Sequence, residues 1–229
     1  MKIKSVLKRA TLRIVQHQGG WSGRVFCVGR NKTGTSTLGR VLGELGYRVA
    51  PQIQGERLIF KAGMRADERF WSWVQNYEAF QDLPFSAAWF LPKLVQRFPE
   101  DRYILTVRDP DDWFESLRNH HFQHLGLEPN CDGALIRQRI EADTYVAAGY
   151  FASVLRAAYG DLPDDLLYDR STFISAMLNH NDTVRAIVPS NNLLEIDLSH
   201  HVDTKAICTF LDLPDYMVSS LPRENQRRS

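Results

Sequence analysis

An apolar run, Arg24-Val25-Phe26-Cys27-Val28-Gly29, passes straight into the polar turn Arg30-Asn31-Lys32-Thr33-Gly34-Thr35-Ser36-Thr37 and then into a helical pattern. This junction leaves the 229-residue chain few folds to choose from. A short, uninterrupted apolar run reads as a strand buried on both faces. Leu38, Val41, Leu42 and Leu45 recur at helical spacing, Gly46 stands where a helix stops, and Tyr47-Arg48-Val49 can start the next strand. Strand, turn, helix and strand make a βαβ unit, whose parallel sheet must be covered by helices on both sides.

The rest of the chain continues the alternation. Arg102–Arg108 is a second buried strand, ended by Asp109-Pro110 and followed by a helix over Asp111–Phe122. Phe85–Phe98 reads as a helix broken or kinked at Pro92, and one long amphipathic stretch covers Gly133–Tyr159. Another helix spans Ser171–Val188, Asn192–Asp197 is a third strand, and a last helix lies around Asp203–Leu211. Nothing resembles a linker or a repeat. The expectation is an α/β fold in one domain, residues 21–229, preceded by a basic lead-in over residues 1–20.

Composition sharpens this. A 44% hydrophobic and 24% charged chain is neither disordered nor fibrous, and it has no apolar run of membrane-spanning length. Three scattered cysteines suit reduced thiols in a cytoplasmic setting better than a disulfide framework. The net charge of +1 hides an asymmetry: residues 1–43 carry nine Lys and Arg and no acid, leaving −8 for the remainder. So concentrated a field calls for an anionic partner, either a bound phosphate or a membrane surface. It lacks the uniform basicity of a nucleic-acid binder. Ile3, Val6, Leu7, Ala10 and Ile14 fall close to helical spacing in the lead-in. That pattern fits a solvated basic helix or a helix making peripheral membrane contact.

The turn after the first strand keeps the G-x-x-x-x-G frame of a phosphate loop, from Gly29 to Gly34, and the fold expected is P-loop-like. The residue after the second glycine is Thr35, however, where an ATP-binding loop carries lysine. Lysine sits two positions before that glycine instead, at Lys32. The N–H groups of residues 33–37 can still face an anion at a helix N-terminus, with the macrodipole behind them. Thr33, Thr35, Ser36 and Thr37 add hydroxyls. The same residues would also serve as ordinary helix caps.

Arg108 closes an otherwise apolar strand, at the carboxyl end where ligands of parallel sheets bind. A planar guanidinium suits a phosphate, and Ser116, eight residues on, lies in the next helix. A surface ion pair of Arg108 with Asp109 or Asp112 is the plainer alternative.

With both sites in view, the sequence resembles the sulfotransferase family, and especially its compact, largely bacterial-type branch. Lys32-Thr33-Gly34-Thr35-Ser36-Thr37 is similar to the family's loop for the 5′-phosphosulfate of 3′-phosphoadenosine 5′-phosphosulfate (PAPS). Ile104–Pro110 with Trp113 and Ser116 is similar to its 3′-phosphate motif. His180-Asn181 through Arg185, Leu193–Asp197 and Ile207–Leu211 extend the likeness to the C-terminus. Ser36 replaces the commoner Thr and keeps the hydroxyl. Pro222-Arg223-Glu224-Asn225 is faintly similar to the family's closing cofactor loop, which would put Arg223 on the 3′-phosphate. Where many members have His before Leu-Pro, this chain has Asp82-Leu83-Pro84.

The resemblance implies transfer of a sulfuryl group from PAPS to a hydroxyl or amine of a small-molecule, lipid or carbohydrate acceptor, releasing 3′,5′-ADP without a metal. Lys32 would stabilise the leaving phosphate. Asp82 is the candidate base; His121, within His120-His121-x-x-His124, competes with it. A zinc site there lacks a third ligand. Trp71, Trp73, Trp89 and Trp113 read as core residues, one of which could stack on a base or sugar. Two other classes stay open: a P-loop kinase or NTPase, and a non-catalytic nucleotide-binding module.

Overall fold

Strand β1 (Val25–Cys27) sends successive side chains to opposite sides of the sheet, as a pleated strand must. Val25 and Cys27 enter one apolar layer with Leu38, Val41 and Leu42, while Phe26 enters another with Phe80, Phe85 and Tyr103. These facts come from a computed structural model that describes residues 2–222. β1 is flanked by β2 (Ala79–Phe80) and β3 (Arg102–Thr106), and β4 (Leu193–Ile196) adds to β3. All pairings are parallel, in the order β2-β1-β3-β4, with Phe26 opposite both Phe80 and Tyr103. The Phe26 ring stacks on Phe80 with centroids 4.8 Å apart.

Helices cover both faces. On one side lie α1 (Lys2–His17), α2 (Thr35–Leu45) and α10 (Lys205–Phe210). On the other lie α3 (Gln52–Lys61), α4 (Glu68–Val74) and α5 (Leu91–Arg97), together with α9 (Arg170–Ile187). A third apolar cluster joins α9 to α6 (Pro110–Leu125), α7 (Gly133–Ala142) and α8 (Tyr150–Tyr159). The chain leaves β1 towards β2 on one side and later crosses to β3 on the other. The carboxyl ends of β1 and β3 therefore flank a topological switch point, where open parallel sheets build their ligand crevices.

The single α/β domain and its three longer strands agree with expectation. The differences are local. Tyr47–Val49 forms no strand; Val49 makes one parallel bridge to Ala79, and the neighbour of β1 is the two-residue β2, too short to leave a periodic pattern. Pro92 does not interrupt a helix but lies in the first turn of α5, where its missing N–H costs nothing, and the chain before it runs in turns. The stretch Gly133–Tyr159 is two helices, because Asp143 takes the Tyr145 N–H at its carboxylate and Gly149 turns into the left-handed region at φ 78°. Helices α3 and α4 carry no clean period and were not expected.

Among the described side chains of α1 the buried ones are Leu12 and Val15, and Val6, Leu7 and Ile14 of the stripe singled out from sequence point the other way. Val6, Leu7 and Ile14 are 65, 63 and 58% exposed. Cys27, Cys131 and Cys208 are unpaired. Among the described residues no helix is long and apolar enough to cross a membrane.

Candidate active site

The loop after β1 is held by its carbonyl oxygens. Val28 O accepts from His180 Nε2 at 2.7 Å, Asn31 O from Trp113 Nε1 at 2.9 Å, and Lys32 O from Arg108 Nη1 at 3.3 Å. Arg30 O accepts from both the N–H and the hydroxyl of Thr33, at 3.3 and 2.6 Å. With its acceptors engaged by α9, α6 and the end of β3, the loop offers donors to the crevice. Gly34, in the left-handed region at φ 106°, turns the chain into α2 without a side-chain cap. The N–H groups of Gly34, Thr35, Ser36 and Thr37 have no backbone acceptor among the described residues. Four such donors at a helix N-terminus form a cradle for an anion.

The hydroxyls divide. Thr33 is buried; its Oγ1 lies 2.6 Å from Thr106 Oγ1 as well as on Arg30 O, so this side chain holds the loop instead of facing a ligand. Thr35 is also buried, and its hydroxyl is directed to Asp82 Oδ2 at 3.5 Å. Ser36 is exposed and Thr37 partly so.

Lys32 is half-buried at φ 69°. Desolvation, and then the charge of Arg108, hold its ammonium below the ordinary lysine range, with Asp82 opposing. Arg108 is brought against the loop by its bond to Lys32, so the residues singled out in two distant motifs meet at the switch point. Ser116 is partly buried in the second turn of α6. Arg223 lies outside the described residues.

Asp82 sits at φ 56° before a cis Leu83-Pro84 bond, just past β2 and so on the side of the β1 loop away from Arg108. Its Oδ1 accepts from Leu83 N at 2.9 Å and Ser86 Oγ at 3.4 Å. Burial raises its pKa against these bonds, the Thr35 hydroxyl and the Arg30 charge.

His121 is a different kind of group. It is buried, its Nδ1 is 2.7 Å from Tyr168 Oη, and desolvation followed by the neighbouring His120 pushes its pKa down to about 3. His124 pairs with Asp143 at 2.7 Å. Among the described residues no three His, Cys, Asp or Glu side chains converge on a point. Trp71, Trp73 and Trp113 are buried, and Trp113 serves the loop through its bond to Asn31.

Three residues near this crevice were not singled out from sequence as site residues. Arg30 is a buried guanidinium in the loop itself, and its signal was available: like Arg108, it follows an apolar strand. Glu56 is 3% exposed on α3, hydrogen-bonded to Gln52 Nε2 at 2.7 Å and to Tyr150, and burial lifts its pKa to about 7. Neither α3 nor the Glu56–Tyr150 contact has any sequence pattern. His180, noted as part of a family likeness, is the donor that fixes Val28 O.

Residues 24–229 match the sequence model of the family described as "Sulfotransferase domain". A curated protein of Aspergillus versicolor, "Ava biosynthesis cluster protein M", is 26% identical, over 83% of this chain and 76% of its own length.

Proposed function

The chain belongs to the sulfotransferase domain family, whose members transfer sulfuryl groups, and we propose that its donor is PAPS and its nucleotide product 3′,5′-ADP. The observation that carries this is the bond from Arg108 Nη1 to Lys32 O, which couples two anion-binding elements across one crevice. One is the Gly34–Thr37 cradle with Lys32, suited to a 5′-phosphosulfate. The other is Arg108, with Ser116 on the helix that follows, suited to a 3′-phosphate.

In the reaction an acceptor oxygen forms a bond to sulfur as the bond from sulfur to the 5′-phosphate oxygen breaks in line. The acceptor proton goes to Asp82, and the electron pair of the broken bond stays on the phosphate. Lys32 and the loop amides stabilise the charge that appears there. Asp82 is a better base than His121. Its raised pKa favours proton capture, whereas His121 is held neutral, weakly basic and bonded to Tyr168. The acceptor is a small molecule, lipid or carbohydrate bearing a hydroxyl or amine.

Screening an acceptor library with labelled PAPS tests this, with Lys32→Ala as control. Label should move to an acceptor, and the variant should lose about 10²–10³ in kcat, the scale of a lost oxyanion donor. Normal turnover by Lys32→Ala would return Lys32 to the solvated basic surface.

The exposed Val6, Leu7 and Ile14 beside Lys8 and Arg9 support peripheral contact of α1 with an anionic membrane. Cosedimentation with phosphatidylserine vesicles, lost in Val6→Ser/Leu7→Ser, tests that contact.

A further inference from the structure

Arg30 is 6% exposed, the most buried cation among the described residues, yet its Nε and Nη2 have no hydrogen-bond partner. Its guanidinium carbon lies 5.0 Å above the Tyr159 ring, and the Tyr159 hydroxyl takes a hydrogen bond from it. A π face and one neutral oxygen compensate only part of the charge. A buried, unpaired cation is costly, and an anion is the partner that removes the cost.

The surroundings say where that anion belongs. Asp82, His121, Tyr159 and His180 all lie close enough to feel the Arg30 charge, and Asp82 is the proposed base to which the acceptor hydroxyl must come. Beside Arg30, His180 bonds through Nε2 to Val28 O, so its proton is on that nitrogen and its buried Nδ1 is left with an unpartnered lone pair. Burial and the Arg30 charge push His180 down to about 4 and keep it neutral. The adjacent Asn181 Oδ1 is also buried without a partner. Unmatched donors on Arg30 and unmatched acceptors on α9 thus lie together at the end of β1, where His180 holds Val28 O and the Tyr159 ring lies under the Arg30 guanidinium.

We propose that Arg30 is a specificity-determining residue that binds an anionic group of the acceptor, so that the acceptor is a hydroxy acid or a hydroxylated phosphate or sulfate ester. This rests on the sulfuryl-transfer assignment and narrows its acceptor. A site built around an unpaired buried charge also rejects neutral analogues, which leave the guanidinium desolvated and unmatched.

The test is a calorimetric titration of protein saturated with 3′,5′-ADP, using 4-hydroxybenzoate, 4-hydroxyphenyl phosphate and the neutral 4-hydroxybenzamide. Wild type should prefer at least one anion over the amide by about ten- to a hundredfold, the scale of a charge-assisted contact. Arg30→Met should erase that preference and keep its affinity for 3′,5′-ADP within about threefold. Arg30→Lys, which retains charge without the planar fork, should keep part of the preference and serves as the folded control if Arg30→Met is destabilised. Equal binding of acid and amide would mean that a trapped water, not an acceptor, satisfies Arg30, and would overturn the proposal. So would a preference that survives Arg30→Met, or no binding of any probe to the nucleotide complex. Failure to bind 3′,5′-ADP at all would instead overturn the donor assignment on which the proposal rests.

Discussion

Thr33 Oγ1 and Thr106 Oγ1 lie 2.6 Å apart, 73 residues apart in sequence, and tie the loop after β1 to the end of β3. The approach is close enough that a Cβ on Gly29 would stand 2.1 Å from Thr106 Oγ1 and 2.4 Å from the Thr106 carbonyl oxygen. Backbone cannot yield there as a flexible side chain would. Gly29→Ala should therefore force β1 and β3 apart where the crevice begins, at a cost of about 1–3 kcal/mol. Chemical denaturation should show that loss, and 3′,5′-ADP affinity should fall with it. A variant of wild-type stability and affinity would mean that the strands part there without cost.

Arg108 should discriminate nucleotides by their 3′-phosphate. A charge-assisted fork contributes roughly 1.5–3 kcal/mol, so Arg108→Ala should bind 3′,5′-ADP about ten- to a hundredfold more weakly. Binding of 5′-AMP, which lacks that phosphate, should change little. Equal losses for the two ligands would leave Arg108 only its structural bond to Lys32 O.

Asp82 and His121 can be separated in one assay. Asp82→Asn keeps shape and removes basicity, and should lower kcat by about 10²–10⁴ with 3′,5′-ADP affinity unchanged. Because burial raises the Asp82 pKa, wild-type kcat should increase with pH as this carboxyl loses its proton. His121→Asn should mainly disturb the contact with Tyr168 and lower stability. The opposite pattern, with Asp82→Asn active and His121→Asn dead, would move the base to α6.

Glu56 makes a prediction about stability. Its pKa is raised from 4.5 to about 7 in the folded chain, chiefly by desolvation, so the folded state holds a proton that the unfolded state has released. Stability from this position is complete below pH 4.5 and is lost as pH rises through about 7, a change on the order of 3 kcal/mol. Glu56→Gln has no proton to lose and its amide oxygen can still accept from Tyr150. Relative to wild type it should melt higher at pH 8 and gain nothing at pH 4.5. The same difference in melting temperature at both pH values would show that Glu56 does not titrate in this range.

How much of this was legible in the chain depended on how local the cause was. The βα junction at Val25–Leu45 could be read because each part of it is specified within a few residues: the apolar run, the glycines, the helical spacing and the stop at Gly46. Arg108 was legible because a charge closing a buried strand is conspicuous. What could not be read arises from contacts between distant residues. Thr33 looked like a ligand donor until Thr106 and Arg30 O were seen to engage its hydroxyl. The two residues of β2 exist because the sheet offers β1 an edge, not because Ala79-Phe80 prefers extension. The burial of Arg30 and Glu56 depends on α8 and α9, more than 90 residues away from either. A long amphipathic reading of Gly133–Tyr159 failed on the seven residues 143–149, where Asp143 and Gly149 favour turns more strongly than the apolar spacing favours helix.

The donor assignment stands on Lys32 lying two residues before the second loop glycine, with Thr35 where an ATP-dependent loop has its lysine. Calorimetric titration of 3′,5′-ADP and of ATP into the protein, in EDTA and again with Mg²⁺, tests it most directly. The loop amides, Lys32 and Arg108 should bind 3′,5′-ADP equally well in both conditions, and ATP more weakly in each. Tighter binding of ATP, or an affinity for 3′,5′-ADP that collapses in EDTA, would contradict it and point to a P-loop kinase or NTPase.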